Sequence, residues 1–302
     1  MSHPDADLHP VATGLAKKTV DEHSAEQPLK LYAGWFCPFV QRAWITLEEK
    51  KIPYQYIEVN PYHKPASLMR ANPRGLVPTL EVGPGKSLYE STVLCEYLEE
   101  RYAGLAPNIL PPPSSSSSSA SFPGDGDQDY QRARHRIWAD FVGSRVIPAF
   151  HRFLQFQPKE AGGEERLAEL RCEFRGTLRE FAAEMRRNDG EEGAETGTEK
   201  GCPFFLGGQI GLADIALVPW AVRLWVLDEF KGGVGIPEPG QGGEDEEVWA
   251  RWRTWLDAME NRDSIKNTTS DREHYVPIYK RYADNTAQSE LAKATRAGRG
   301  VP

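Results

Sequence analysis

The sequence predicts a small α/β domain followed by an all-helical domain. Strand-like and helix-like segments alternate between residues 29 and 110, and a run of serine and proline then interrupts the pattern. Beyond that run, every periodic segment has helical spacing and the strand signal disappears. With 302 residues, the chain is long enough for two domains of ordinary size.

The α/β domain is expected to cover residues 29–110, in the order β-α-β-(α)-β-β-α. Alternating apolar residues identify the strands, apolar residues at helical spacing identify the helices, and the tight turn GPGK joins the last two strands. The predicted strands are at 29–34, 54–60, 77–82 and 87–90, and the main helices are at 38–51 and 91–104. A βαβ unit followed by a ββα unit makes a mixed sheet with helices packed on it.

Four further segments complete the predicted organisation. Residues 1–28 have the composition of a disordered arm, and residues 111–129 that of a flexible Ser/Pro-rich linker, because neither can bury much apolar surface. Residues 130–285 contain several long amphipathic helices and form the helical domain. The small and polar residues of 286–302 suggest a flexible tail.

Composition excludes several classes of function. The net charge of −8 argues against a nucleic-acid partner held through its phosphates. The N-terminus lacks the apolar core of a secretory signal, and the apolar stretch IALVPWAVRLWVL is too short to span a membrane. The four cysteines fit no zinc-binding spacing, so we expect no metal and a reducing, cytoplasmic location.

Cys37, in the stretch FCPFV, stands between the first strand and the first helix. A lone cysteine is most often a small buried core residue. Pro38, however, is favoured at the first position of a helix, which places Cys37 at the helix N-cap, where free amides and the helix dipole face the sulfur. Such surroundings lower a thiol pKa and favour the nucleophilic thiolate. The sequence therefore predicts that Cys37 is a nucleophile.

Val40 occupies the position where a dithiol oxidoreductase carries its second, resolving cysteine. Without that residue, Cys37 cannot close a disulfide of its own and needs an external thiol to complete thiol–disulfide exchange. Glutathione is the most abundant cellular candidate, so we expect it as a cosubstrate.

Two motifs after Cys37 could hold glutathione. In GLVPTL, a cis peptide bond between Val77 and Pro78 would turn the Val77 backbone toward the cysteine, although an ordinary trans proline at an edge strand also fits. In YESTVL, Ser91 is a good N-cap whose hydroxyl and following amides suit a carboxylate, and Glu90 could accept from an ammonium group. The alternative for this second motif is a capping serine beside a solvated glutamate.

Together these motifs resemble the glutathione transferase superfamily, whose fold is a thioredoxin-like domain followed by a helical domain. The stretches GWFCPFVQRAWITLEEKKI, NPRGLVPTLE and LYESTVLCEYLEERY are most similar to its omega class. The resemblance implies that Cys37 is the catalytic thiol, that Pro78 is cis, and that Lys64 neutralises the glycyl carboxylate of glutathione. The residues implied to bind glutathione are Phe39, Lys64, Val77, Pro78, Glu90 and Ser91.

In the helical domain, IGLADIAL resembles the N-capping box and hydrophobic staple of that family. Asp214 would accept from the Gly211 N–H and Ile210 would pack on Ile215, so Asp214 is expected to be structural rather than catalytic. Gly211 stands where the usual Ser or Thr cap would be, and glycine is tolerated at this position.

A second substrate is expected between the two domains, above Cys37. The candidate walls of its pocket are Phe39, Trp138, Trp220, Arg223, Tyr275 and Tyr282. Tyrosines along one helix face belong more often to the core than to a pocket, and Arg223 can equally pair with an acid or bind an anionic substrate.

Three functions are compatible with this sequence. The first is a glutathione-dependent thiol transferase or reductase that forms a Cys37–glutathione mixed disulfide, and the resemblance adds dehydroascorbate and S-(acylmethyl)glutathiones as substrates. The second is conjugation of glutathione to an electrophile, in which the glutathione thiolate attacks. The third is a non-enzymatic relative of the chloride intracellular channel proteins, which the polar residues of the first helix do not favour. The resemblance also implies a homodimer, and we expect no stable membrane insertion.

Overall fold

The computed structural model describes residues 5–112, 128–159, 161–189, 202–205 and 207–302. The strands are β1 Lys30–Ala33, β2 Gln55–Glu58, β3 Thr79–Gly83 and β4 Lys86–Tyr89. The first helices in chain order are α1 Gly14–Glu22, α2 Pro38–Glu49, α3 Ala66–Ala71, α4 Ser91–Arg101, α5 Gln128–Phe141, α6 Ile147–Gln155 and α7 Gly163–Asp189. The remaining helices are α8 Leu212–Ala221, α9 Trp225–Lys231, α10 Glu246–Asn261, α11 Asp263–Lys266, α12 Arg272–Ala283 and α13 Glu290–Arg296.

The four strands form one mixed sheet in the order β2-β1-β3-β4. β1 is parallel to β2 and antiparallel to β3, and β3 forms a hairpin with β4. In the centre of the sheet, Leu31 pairs with Tyr56 on one side and Leu80 on the other, and all three are buried. Helices α2 and α4 pack against each other. This arrangement confirms the predicted α/β, thioredoxin-like fold of the N-terminal part.

The described residues divide into two compact units. The first takes the described residues of Met1–Pro107, Asn261–Arg281 and Ala287–Ser289, and the second takes those of Asn108–Glu260, Tyr282–Thr286 and Glu290–Pro302. The second unit is helical, as predicted, but its expected range of 130–285 is too wide. Residues 261–281 belong instead to the α/β unit.

Long-range polar bonds explain why this late segment joins the α/β unit. Glu49 of α2 accepts from Nε and Nη2 of Arg262 at 2.5 and 2.6 Å. On the same helix, the buried amide of Gln41 donates to Oγ1 of Thr268 at 3.2 Å and to Oγ1 of Thr269 at 2.9 Å. Each bond joins residues more than 200 positions apart, which composition and periodicity do not reveal.

The N-terminal segment, predicted to be a disordered arm, is ordered from residue 5 onward. It contains α1, and Ala12, Ala16 and Thr19 are buried. Its end also runs beside the edge strand β2, where the Tyr56 N–H donates to the His23 carbonyl at 2.8 Å. Covering a sheet edge satisfies backbone groups that would otherwise face solvent, which gives a polar segment a reason to dock.

The predicted tail and linker have different outcomes. Within 286–302, expected to be flexible, helix α13 forms and buries Ala292 and Ala294. Within the predicted linker 111–129, residues 113–127 lie outside the described residues, and α5 begins at Gln128, one position before the predicted end of the linker.

The helical unit is built around α8. Every residue of this helix is buried. A turn at 222–224 ends it, and α9 starts directly after that turn. Pro219 lies inside α8 and cannot donate a backbone hydrogen bond, and the side chain of Arg223 donates to the Pro219 carbonyl.

None of the described helices is both long and apolar enough to cross a membrane.

Candidate active site

Cys37 occupies the N-cap of α2, as predicted, with Pro38 as the first helical residue. Its backbone is extended, its carbonyl accepts the first intrahelical bond from Gln41 N at 3.1 Å, and its own N–H closes a turn onto the Gly34 carbonyl at 2.9 Å. The thiol is partly exposed and makes no capping hydrogen bond to the helix. The positive potential at the start of α2 acts on the sulfur and on any ligand bound beside it.

The Val77–Pro78 peptide bond is cis, as predicted. It brings the Val77 carbonyl to 3.9 Å from Sγ of Cys37, which acts as the donor of this weak hydrogen bond. Asn72, buried behind the turn, donates to the Leu76 carbonyl at 3.3 Å and to Oγ1 of Thr79 at 3.1 Å. The cysteine and the loop that could pair with a peptide thus lie together.

The start of α4 differs by one residue from the prediction. Glu90, not Ser91, is the N-cap, and Ser91 is the first helical residue. Glu90 has a φ of 72°, a left-handed conformation that is uncommon for a residue other than glycine and is often found at functional sites. This conformation leaves the Glu90 side chain half exposed, whereas Ser91 is only 7% exposed.

Arg74 joins Glu90 to Lys64 in the first unit. Arg74 donates from Nη1 to Oε1 of Glu90 at 2.7 Å, and Lys64 donates from Nζ to the Arg74 carbonyl at 3.0 Å. The backbone turn that allows this needs Gly75, which has a φ of 61° and whose added Cβ would lie 2.6 Å from Cδ of Lys64. The structure therefore brings Lys64, Glu90 and Arg74 together, and sequence reasoning had not identified Arg74.

Arg42 is a second residue that the sequence interpretation missed. It is 4% exposed on α2, donates from Nη1 to Oγ of Ser91 at 3.3 Å, and lies over the Phe39 ring at 5.5 Å. Burial lowers the pKa of Arg42 to about 10, while the electrostatic contributions of Cys95 and Cys37 act in the opposite direction. An arginine five residues after the cysteine, on a helix with many apolar residues, was the available signal.

The residues proposed to line a second-substrate pocket have different environments. Trp220, Arg223 and Tyr275 are 1–2% exposed, and this burial corrects their assignment as pocket walls, because they offer almost no surface to a ligand. Tyr275 packs edge-on against Trp35 at 5.0 Å in the first unit. Trp138 and Tyr282, in the second unit, keep partial exposure, as does Phe39 in the first.

Asp214 has the structural role that was predicted. Its Oδ2 accepts from Gly211 N at 2.8 Å, and its Oδ1 accepts from Phe205 N at 2.9 Å and from the Trp255 indole at 2.7 Å. Burial raises the pKa of Asp214 to about 6, against the opposing effect of these three donors. The staple residues Ile210 and Ile215 are both buried.

The other cysteines differ from Cys37 in their surroundings. Cys95 is buried in α4, accepts from Oγ1 of Thr46 at 3.2 Å, and burial raises its pKa to about 11, which fits a core residue. Cys172 is exposed and Cys202 is partly exposed. Within the described part of the chain, no cluster of three or more His, Cys, Asp and Glu side chains is arranged to hold a metal ion.

Family models for the N-terminal and C-terminal domains of glutathione S-transferases match residues 31–107 and 164–258 of this chain. The pig (Sus scrofa) glutathione S-transferase omega-1 is 32% identical over 200 residues, which are 66% of this chain and 68% of the relative. The crystal structure of glutathione transferase Omega 3C from Trametes versicolor aligns with a TM-score of 0.70 and 40% identity, covering 92% of this chain and 100% of its own. Rice GST1, crystallised in complex with glutathione, aligns with a TM-score of 0.64 and 26% identity over 84% and 97% of the two chains.

These matches and the fold lead to one assignment. The chain belongs to the glutathione S-transferase family and is omega-like, as the sequence motifs around Cys37 indicated.

Proposed function

We propose that this glutathione transferase acts as a glutathione-dependent thiol transferase or reductase through a Cys37–glutathione mixed disulfide. The main observation that supports the proposal is the sulfur of Cys37, partly exposed at a helix N-cap and 3.9 Å from the Val77 carbonyl beside the cis proline. Val40, in the position of a resolving cysteine, is fully buried and carries no thiol. A protein thiol without a second cysteine beside it needs an external one, and glutathione supplies it.

The charges around this site suit the tripeptide. Glutathione carries two carboxylates and one ammonium group near neutral pH. Glu90 would accept from the ammonium group, the Ser91 hydroxyl and the first amides of α4 would hold the neighbouring carboxylate, and Lys64 would neutralise the glycyl carboxylate. The Val77 backbone would pair with the cysteinyl residue, which places the glutathione sulfur beside Cys37.

The reaction proceeds by two thiol–disulfide exchanges. The Cys37 thiolate attacks the glutathione sulfur of a glutathionylated substrate, a new sulfur–sulfur bond forms, and the substrate leaves as a thiolate that takes a proton from solvent. A second glutathione, as its thiolate, attacks the glutathione sulfur bound to Cys37, releasing oxidised glutathione and the Cys37 thiolate. Dehydroascorbate and S-(acylmethyl)glutathiones are further candidate substrates of the same thiol.

Mass spectrometry of the intact protein after incubation with oxidised glutathione tests this mechanism. We expect one glutathione adduct on the wild-type protein, the same adduct on Cys172→Ala, which removes the exposed cysteine, and none on Cys37→Ala. An adduct that survives Cys37→Ala, or a wild-type protein that forms none, would contradict the proposal. Conjugation of glutathione to an electrophile is the alternative reaction, and in that case Cys37→Ser retains or gains activity while disulfide reduction is lost.

The remaining expectations are a homodimer and a cytoplasmic location. Tyr89 and Val93, at the end of β4 and the start of α4, are 41% and 51% exposed, which is unusual for large apolar side chains that are close in sequence. Such a surface suits self-association. Light scattering coupled to size-exclusion chromatography would give the mass in solution, and Val93→Glu should lower it if this surface joins two copies.

A further inference from the structure

Glu58, the last residue of β2, joins two separate segments through its carboxylate. Its Oε1 accepts from the Trp35 N–H at 3.1 Å, and its Oε2 accepts from the Ala12 N–H at 3.2 Å. Trp35 lies two positions before Cys37, and Ala12 lies just before α1. One partly buried side chain therefore connects the N-terminal segment to the loop that presents the thiol.

The loop before Cys37 is a tight turn in which Trp35 is the second residue. The turn is closed by the hydrogen bond from Cys37 N to the Gly34 carbonyl at 2.9 Å, so the position of Trp35 constrains that of Cys37. Trp35 is 2% exposed, and its indole N–H donates to the His9 carbonyl at 2.9 Å. Both the backbone and the side chain of Trp35 are thus held by groups that involve the N-terminal segment.

The N-terminal segment is itself anchored on its far side. Thr13 N donates to Oγ of Ser270 at 3.1 Å, and Asp271 N donates back to Oγ1 of Thr13 at 2.9 Å. Nearer the N-terminus, the side chain of Asn60 donates to the Ala6 carbonyl at 2.9 Å. These bonds hold the N-terminal segment in place independently of Glu58, so the segment can fix the position of the Glu58 carboxylate.

We propose that Glu58 is a positioning residue for Cys37. It holds the turn at Trp35 against residues 5–13 and so fixes the Cys37 sulfur relative to the first amides of α2. The proposal rests on the proposed function in one respect, that Cys37 is the reacting thiol. Glu58 itself does not touch the reacting atoms.

Losing Glu58 has two physical effects that change the pKa of Cys37 in opposite directions. Burial raises the pKa of Glu58 to about 7, so Glu58 is negatively charged above that pH. Removing this charge lowers a thiol pKa, because the thiolate then meets less repulsion. Loosening the turn moves the sulfur away from the helix amides and raises the pKa. The titratable and charged groups that interact with Cys37 or lie around Glu58 and Trp35 are Arg42 from α2, Tyr56 from β2, Tyr62 from the loop after β2, His9 from the N-terminal segment, and His274 and Tyr275 from α12. All of these groups are retained in the variants described next, so they cannot account for a difference in the Cys37 pKa between those variants.

The experiment measures the pH dependence of iodoacetamide alkylation at Cys37, followed by mass spectrometry of the peptide that contains it. Glu58→Gln keeps the shape of the side chain, but its amide can accept only one of the two N–H groups. Ala12→Pro keeps the carboxylate and removes one donor. Glu81→Gln is the matched control, since Glu81 accepts from the Tyr32 hydroxyl at 3.3 Å on the same sheet and has no bond to the turn.

We expect Glu58→Gln and Ala12→Pro each to raise the pKa of Cys37 by about half a unit to one unit, within the range by which local surroundings move a thiol pKa. The alkylation rate below that pKa falls about three- to tenfold, and the effects of the two changes are not additive in the double variant. Glu81→Gln leaves the profile unchanged.

An unchanged or lowered pKa in Glu58→Gln, with a folded protein by circular dichroism, would overturn the proposal. If Glu58→Gln does not fold, the same test applies to Ala12→Pro, and an unchanged or lowered Cys37 pKa in that variant would overturn the proposal. A wild-type Cys37 with an unperturbed pKa near 8.5 would instead count against the proposed function. The two failures are therefore distinguishable.

Discussion

Helices α2 and α8 both begin at a residue that supplies no capping side chain, Cys37 in one and Gly211 in the other. At α8 other residues complete the cap. Asp214 accepts from the Gly211 N–H at 2.8 Å, and Nδ1 of His135 accepts from the Ala213 N–H at 3.4 Å. At α2 the N-cap residue carries a partly exposed thiol that makes no capping hydrogen bond to the helix.

His135 explains why glycine starts α8. A Cβ added to Gly211 would lie 2.1 Å from Cε1 of His135, so the imidazole occupies the space of the Ser or Thr side chain that usually caps such a helix. Burial lowers the pKa of His135 to about 3, with a smaller contribution from the charge of Arg134, so the ring is neutral and can accept a hydrogen bond. Buried side chains therefore complete the start of α8, whereas the start of α2 presents the partly exposed thiol of Cys37.

The largest effect is expected at Cys37, the N-cap of α2. Cys37→Ala should reduce glutathione-dependent disulfide reduction at least about 1,000-fold, the order of magnitude expected when a covalent nucleophile is lost. Because the thiol is partly exposed, the free energy of unfolding should change by no more than about 1 kcal/mol. Steady-state assays and urea titrations measure the two quantities. A reduction rate within tenfold of wild type would show that a different thiol attacks.

At the start of α8 we expect the reverse pattern, a large loss of stability with no change in the reactivity of Cys37. Asp214→Ala leaves three buried donors without their acceptor, and we expect a loss of about 3 kcal/mol or more in the free energy of unfolding. Urea denaturation measures it, with Asp228→Ala, an exposed acid in the first turn of α9, as the control. Cys37 alkylation in the folded Asp214 variant should stay at the wild-type rate. A stability loss no greater than that of the control would remove Asp214 from the structural role assigned to it.

The close approach of Gly211 and His135 predicts a smaller loss of stability in Gly211→Ser, which His135→Ala should partly reverse. Gly211→Ser should destabilise the protein by about 1–3 kcal/mol, because the new side chain meets the imidazole. In the double variant with His135→Ala the serine has room to cap α8 in the ordinary way, so the two costs should be less than additive. Thermal unfolding of the four proteins in this cycle gives the interaction energy. Strict additivity would mean that the ring and the glycine are independent.

The smallest effect concerns the other end of α2. His23 Nε2 lies 3.3 Å from Oε1 of Glu48, and burial lowers the His23 pKa, but the hydrogen bond and charge of Glu48 outweigh it, so the net pKa is raised. A raised histidine pKa stabilises the fold below the unfolded value, and this contribution is lost as pH rises through the folded value. Since the pair is partly exposed, His23→Asn should remove about 0.5 kcal/mol at pH 5.5 and less at pH 8.5. Equal losses at both pH values would contradict the ion pair.

Much of this fold could be predicted from local patterns in the sequence. The order of strands and helices followed from apolar spacing, and the Cys-Pro pair predicted the N-cap at α2 because proline is suited to the first helical position. The N-cap of α4 was placed one residue late, since a positive φ at Glu90 is set by its surroundings and not by its residue type.

Polar residues were the main source of the remaining differences. On α2, Gln41, Arg42, Glu49 and Lys50 have the composition of a solvated face, yet all four are buried. Lys50 is paired with Glu99 at 2.9 Å, and Arg42 bonds to Ser91. Each partner is distant in the chain, so no local pattern contains the information that pairs them.

The amino-acid sequence by itself determined the α/β order, the position of Cys37 at the N-cap of α2 and the family, because these depend on short-range spacing and on residues adjacent in the chain. Only the tertiary structure decided that residues 5–28 dock on the α/β unit, that residues 261–281 join it, and that Arg42, Arg74 and Glu58 stand around the site. These features depend on contacts between residues far apart in the chain, whose energies are set by burial and geometry once the core has formed.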